Sequence, residues 1–123
     1  MKAMISMISI FTLVLFACDT VDIGCREIIK INACGIEDIG NNLPWLNDII
    51  TTSIDDKTGN YLGKIWCKEY NGQDYIVTNM ALGSGGLAYH TFNCAGESAP
   101  VPDEDFYNTL ADKEIIWISY CLE

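Results

Sequence analysis

Four consecutive residues near the start of the chain could undergo a specific covalent modification. Leu15, Phe16 and Ala17 end a long apolar stretch, and Cys18 follows them directly. A small residue before a cysteine at the end of an apolar leader is typical of a lipobox, where a peptidase cuts and the new first cysteine is acylated. Phe16 is bulkier than the residue usual at its position. The pattern predicts a signal peptide over residues 1–17 and lipidation of Cys18 with chains such as palmitate.

The length of this leader distinguishes it from a membrane span. The apolar stretch is shorter than the roughly 20 residues that a spanning helix needs. An ordinary secretory signal with a cysteine nearby is the alternative. With the lipobox, the sequence predicts a lipid-anchored protein of the bacterial cell envelope. Asp19 after the cysteine does not decide between inner and outer membrane.

The charge of the chain limits the classes of partner that it could bind. The 123 residues carry 7 basic and 17 acidic side chains, a net charge of −10. Cleavage after residue 17 would leave one domain's worth of chain and make that charge more negative, since Lys2 is the only charged residue removed. No basic stripe is present to displace counterions from phosphates, so nucleic acid is excluded. Membrane attachment is expected through the lipid rather than through surface charge.

Six cysteines could form disulfides, and acylation changes their count. Acylating Cys18 leaves an odd number, so one or two bridges and an unpaired thiol are expected in an oxidising compartment. Cys25 and Cys34 lie close enough in sequence to close a small loop, but the pairing stays open, and a set of reduced buried thiols is the alternative. No C-x-x-C spacing occurs, so no metal site is predicted. The disulfide candidates are Cys25, Cys34, Cys67, Cys94 and Cys121.

Nucleophilic catalysis would depend on His90, the only histidine. Cys94 lies four residues further along the same expected strand, roughly 13 Å away, which is too far for a hydrogen bond. Cys67 on another strand could approach His90 and give a small hydrolase. The favoured interpretation is an ordinary core or surface histidine, so neither a catalytic residue nor a cofactor is predicted.

Three polar or glycine-rich segments resemble ligand loops only superficially. The run 55–60 lacks the alternating ligands and distal glutamate of an EF-hand, and is expected to be a polar turn. Asp103 and the two acids after it are expected to favour a helix N-terminus. The run 83–86 has no lysine after it, so it is expected to be a mobile loop rather than a phosphate cradle.

Aromatic side chains give the best lead to a binding surface. Trp66, Tyr70 and Tyr89 fall on expected strands, where alternation turns some side chains outward, and Gly85 lies in the adjacent loop. Exposed tyrosine and tryptophan form good contact surfaces for a protein or a glycan. These four residues are the weak binding candidates. Core packing is the alternative for most of the aromatics.

The surrounding elements predict an α+β fold. Pro44 opens a helix whose apolar residues recur at helical spacing. Asn71-Gly72 predicts a two-residue hairpin. The expected architecture is a small twisted antiparallel sheet of about four strands, with one main helix packed on a face and a second short helix before the last strand. The expected strands are 61–70, 75–80, 87–94 and 114–120. The expected domains are the signal peptide 1–17, a tether or N-terminal segment 18–40 and one globular domain 41–123.

Two motifs resemble a known family. Leu43-Pro44-Trp45-Leu46 at the helix start and the turn Asn93-Cys94-Ala95-Gly96 after a strand are similar to a family of small bacterial lipoproteins. The resemblance covers roughly residues 34 to 120. That family has no assigned activity, so the resemblance implies an exported, anchored domain of unknown function and no catalytic residues.

These observations favour a non-enzymatic module for recognition or envelope structure. The first alternative is an inhibitor or accessory factor that presents the loop 83–86 to an exported enzyme. The second is the small hydrolase that would use Cys67 or Cys94 with His90.

Overall fold

The computed structural model describes residues 26–84 and 89–121. Two helices come first, and the strands follow with two 3₁₀ helices before the last one. The elements are α1 (Ile39–Asn42), α2 (Pro44–Asp55), β1 (Lys64–Tyr70), β2 (Gln73–Thr78), β3 (His90–Phe92), 3₁₀ helices at Phe106–Thr109 and Asp112–Glu114, and β4 (Ile115–Ile118). The strands form one antiparallel sheet in the order β3-β2-β1-β4. The predicted α+β class with one main helix is therefore confirmed.

The main helix begins where the proline signal placed it. Pro44 is its first residue, where a fixed φ suits the helix and the missing N–H needs no partner. The asparagines before it do not cap this helix; they belong to the short α1, and Asn42 Nδ2 donates to the Glu37 carbonyl. Leu46 and Ile50 lie on the buried face of α2 and pack against one face of the sheet.

The β1–β2 hairpin follows from its two turn residues. Asn71 and Gly72 both have positive φ, 54° and 80°, as a type I′ turn requires. Tyr70 and Gln73 pair directly across it, so the return strand starts two residues earlier than expected. This turn fixes the register of the strands that bear the candidate residues.

Both faces of the sheet are covered. Ile65 and Cys67 in β1 face the α2 side, whereas Trp66 between them faces a second cluster built around the buried Phe106. β4 contributes to both clusters, and its continuous apolar sequence is typical of a strand covered on both faces.

Two elements differ from the expectation. β3 spans only three residues, because the Asn93 side-chain oxygen accepts hydrogen bonds from the amides of Ala95 and Glu97 and turns the chain. Residues 87 and 88 of the expected strand lie outside the described residues. The expected second helix consists of two short 3₁₀ helices.

The segment before residue 41 packs as part of the domain. The amides of Arg26 and Ile29 donate to the carbonyls of Ile118 and Ile116, so this segment runs along the outer edge of β4. Ile39 is completely buried and joins the main core. The globular unit therefore includes residues 26–40, where a tether was expected, because the isoleucines of this segment cover an otherwise open sheet edge. No helix in the described parts of the chain is long and apolar enough to cross a membrane.

Candidate functional site

A disulfide joins the N-terminal segment to the turn after β3. Cys34 and Cys94 are bonded, with their Cα atoms 5.7 Å apart. The Cys34 amide donates to Asp74 Oδ2 at 2.8 Å. A disulfide between Cys25 and Cys34, one of the pairings that the sequence left open, is therefore wrong, because Cys34 is bonded to a residue 60 positions away.

Trp45 links the two motifs that carried the family resemblance. Its indole Nε1 donates to the Cys94 carbonyl at 3.0 Å, and its ring packs against Phe92. Gly96 has φ +85° and lies so close to this indole that a Cβ would come within 2.9 Å of the ring. The tryptophan of the first motif and the Cys-x-Gly of the second thus form one structural contact around the disulfide.

The same place has the spacing of a cation site. The ligand atoms of Cys34, Asp74 and Cys94 all lie within 4.8 Å of one another. Both sulfurs are consumed by the disulfide, and one Asp74 oxygen already accepts the Cys34 amide. In this oxidised state the group lacks thiolates to offer a metal.

The remaining described cysteines have different fates. Cys67 is a free, buried thiol, so it does not form the disulfide for which it was a candidate. Burial raises the pKa of Cys67 to about 12, and the carboxylates of Asp74, Glu114 and Glu69 contribute. Cys121 is disulfide-bonded, and its partner lies outside the described residues, as do Cys18 and Cys25.

The structure does not bring His90 and a thiolate together. Cys94 is in the disulfide. Cys67 pairs with Ile76, whereas His90 pairs with Thr78. This register puts the two Cα atoms two strands and two residues apart, about 12 Å by standard sheet spacings. The Nε2 atom of His90 is buried and has no hydrogen-bond partner among the described residues. The nucleophile–base pairs that the sequence raised are not assembled.

The polar loop after α2 is organised by its own aspartate. The Asp56 carboxylate accepts hydrogen bonds from the Thr58 hydroxyl at 2.6 Å and from the amides of Thr58, Gly59 and Tyr61. The Thr58 hydroxyl, and then these amides, lower the pKa of Asp56. The acid therefore stabilises a turn, as expected of this segment. Asp103 likewise accepts the Asp105 amide at 2.9 Å.

The aromatic candidates share one face of the sheet but differ in exposure. Trp66 is buried and Tyr70, whose hydroxyl donates to Asp103, is half-buried, so neither is an open contact surface. Tyr89 has 42% of its surface exposed. Its ring stacks on Tyr107, with centroids 4.4 Å apart and planes 15° apart, and lies 6.0 Å from the Trp66 ring. We call the Tyr89–Tyr107 pair the tyrosine ledge.

Contacts of Tyr107 with Thr91 and Phe106 fix the position of the tyrosine ledge. The Tyr107 hydroxyl hydrogen-bonds the Thr91 hydroxyl at 2.8 Å, and its ring contacts the buried Phe106 edge-on. Tyr107 was not among the binding candidates from the sequence, because a 3₁₀ helix brings it beside β3, from which it is separated in sequence. Gly85, the fourth binding candidate, lies outside the described residues.

The fold and the ledge describe a small disulfide-bonded α+β domain with a rigid, partly exposed tyrosine pair. No protein-family model, curated protein or solved structure matches this chain.

Proposed function

We propose that the protein is an exported lipoprotein, anchored in the cell envelope through an acylated Cys18, whose globular head is a non-enzymatic recognition module. The observation that carries the proposal is the leader ending in Leu15-Phe16-Ala17-Cys18. A leader of this kind directs export, and several acyl chains on one cysteine give a stable anchor.

The cysteine chemistry supports export. The Cys34–Cys94 disulfide belongs in an oxidising compartment, since cytosolic thiols are normally kept reduced. Cys67 is free, and Cys121 is bonded to a cysteine outside the described residues. The sequence offers only Cys18 and Cys25 there, so pairing Cys25 with Cys121 leaves Cys18 available for the lipid.

The tyrosine ledge supports recognition rather than chemistry. Tyr89 presents an aromatic face whose orientation is fixed by stacking on Tyr107, so little side-chain entropy is lost when a partner covers it. Tyrosine is among the residues that most often carry interface energy. A protein or a glycan of the envelope is the class of partner that such a surface fits.

Metabolic labelling with an alkyne analogue of palmitate tests the anchor. We expect the wild-type protein to incorporate the label and Cys18→Ala to incorporate none. Cys67→Ala is the matched control, because it removes a buried, unpaired thiol and leaves the leader intact. Label retained in Cys18→Ala, or absent from the wild type, would refute the lipobox.

Capture from envelope extracts tests the ledge. We expect Tyr89→Ala to weaken retention of a bound protein or glycan at least ~10-fold, as loss of a central interface tyrosine typically does. Val101→Ala is the control, because Val101 is exposed to a similar degree, 40% against 42%. Equal losses in the two variants would contradict a specific role for the ledge.

An inhibitor or accessory factor is the second candidate. Gly83 and Ser84, at the start of the run 83–86, are exposed, as a loop presented to an enzyme would be. Deleting residues 83–86 while retaining Tyr89 separates the two proposals. Loss of an exported enzyme from the captured material only in the deletion variant would favour the inhibitor.

A further inference from the structure

The surface around Arg26 differs from the rest of the described surface in its exposed apolar side chains. Arg26 is tied to β4 through its amide and to the end of α2 through its guanidinium, which donates to the Ile54 carbonyl at 2.7 Å. A cavity of about 420 Å³ opens beside it. We call this region the anchor face and define it by Arg26, Ile54, Lys57, Leu62 and Tyr120, all of which line the cavity.

Two apolar side chains project from the anchor face without a role in the core. Leu62 is 60% exposed, more than any other large hydrophobic residue that the structure describes, and Ile54 is 45% exposed. Neither belongs to the two buried clusters or to the residues packed against them. Half of the exposed large hydrophobic residues in the described chain therefore border a single cavity.

The charges of the anchor face suit a lipid headgroup layer. Arg26 and Lys57 are exposed there beside the exposed acids Glu27 and Asp55, so this region is close to neutral in a chain whose net charge is −10. The acid that also lines the cavity, Asp56, directs its carboxylate to the amides and hydroxyl of its own loop. Cations beside exposed aliphatic side chains are the pattern of interfacial membrane contact.

The distance to the anchor limits which face can meet the membrane. Eight residue steps separate Cys18 from Arg26, and a fully extended chain would span at most about 29 Å over them. That length is about the diameter of a domain of this size. Arg26 therefore stays within one domain diameter of an anchor at Cys18. The opposite side of the domain could reach the bilayer only if the tether wrapped around it.

We infer that the anchor face rests on the bilayer surface, with Leu62 and Ile54 inserted among the lipid headgroups. This inference rests on the proposed anchor at Cys18. It assigns the membrane as the occupant of the cavity mouth.

Photolabelling of the full-length protein from membranes tests the contact. The protein is reconstituted into phosphatidylcholine–phosphatidylglycerol vesicles that contain a lipid with a diazirine near its headgroup. Labelled peptides and the mass of the Cys18 peptide are read from the same digest. We expect the peptide that contains Ile54 and Leu62 to carry at least ~10-fold more label than the peptide that contains Val101, since inserting a leucine favours the bound orientation by about that factor.

Matched variants sharpen the result. Leu62→Glu should lower the label on its peptide to the level of the Val101 peptide, and Val101→Glu should change neither. Both positions are exposed, so both variants are expected to fold. Equal labelling of the two peptides, with lipid present on Cys18, would overturn the anchor face alone. Absence of lipid on Cys18 would overturn the anchor and, with it, this inference.

Discussion

Removing the Cys34–Cys94 disulfide should destabilise the domain severely. The bond joins residues 60 positions apart. It therefore closes a long loop in the unfolded chain and lowers the conformational entropy of that chain. Chain-entropy arguments give about 4 kcal/mol for a loop of this length at 25 °C. Small domains are stable by only about 5–15 kcal/mol in total. The double substitution Cys34→Ser, Cys94→Ser should therefore remove a large part of the free energy of unfolding.

The hydrogen bonds around the disulfide should persist in the folded double variant. The Trp45 indole still donates to the carbonyl at position 94, and the amide at position 34 still donates to Asp74, because both bonds use backbone atoms there. The folded state should consequently keep its contacts. The loss of stability should come mainly from the gain in entropy of the unfolded chain.

Urea unfolding followed by tryptophan fluorescence measures this loss. The control is Cys67→Ser, which replaces a thiol that bridges nothing. A reductant should lower the midpoint of the wild type more than that of the double variant, in which only the disulfide of Cys121 remains to be reduced. A loss below about 1 kcal/mol in the double variant, or a wild-type midpoint insensitive to reductant, would show that this disulfide contributes little to stability.

Three further predictions follow from buried groups. Because the pKa of Cys67 is raised from 9.0 in the unfolded chain to about 12 in the folded protein, the thiol ionises above pH 9 only when the chain is unfolded, so the free energy of unfolding falls as pH rises. Between pH 8 and 10.5, urea unfolding should show that the wild type loses ~2 kcal/mol more of this free energy than Cys67→Ala does. Equal losses in the two proteins would contradict this prediction. Gly40→Ala would put a Cβ 2.5 Å from an Ile28 methyl and 2.9 Å from an Ile116 methyl. This overpacking should lower the free energy of unfolding by ~1–3 kcal/mol. An unchanged free energy would mean that the residues before 41 do not pack as described. Trp117→Phe removes the indole N–H that donates to the buried Ser53 hydroxyl at 2.9 Å. The free energy of unfolding should fall by ~1–3 kcal/mol, which thermal unfolding measures. An unchanged midpoint temperature would show that this hydrogen bond contributes nothing to stability.

The features that sequence predicted best are those encoded locally. Asn71-Gly72 specifies its hairpin by positive φ at two adjacent residues, and Pro44 marks the first turn of α2. Neither signal needs information from a distant part of the chain. Once the hairpin and helix are placed, an α+β architecture follows, because the apolar side of the helix must cover a sheet face.

Long-range pairings could not be predicted in the same way. The bond of Cys34 to Cys94 depends on how the N-terminal segment lies across the sheet, and cysteine spacing carries no information on that. A tether or N-terminal segment was expected over residues 18–40, yet backbone pairing with β4 makes residues 26–40 part of the domain.

The candidate site was predicted in part. Alternation indicated that some of Trp66, Tyr70 and Tyr89 face outward, but it did not reveal that they share one face of the sheet or which ring stays exposed. That depends on the 3₁₀ helix that brings Tyr107 under Tyr89, a contact between segments that are not adjacent in sequence.

Mass spectrometry of the protein isolated from membranes, digested without reduction, tests the central proposal most directly. We expect a first residue Cys18 that carries lipid, Cys34 bonded to Cys94, Cys25 bonded to Cys121, and Cys67 as a free thiol. A Cys18 without lipid, or one bonded to Cys121, would contradict it.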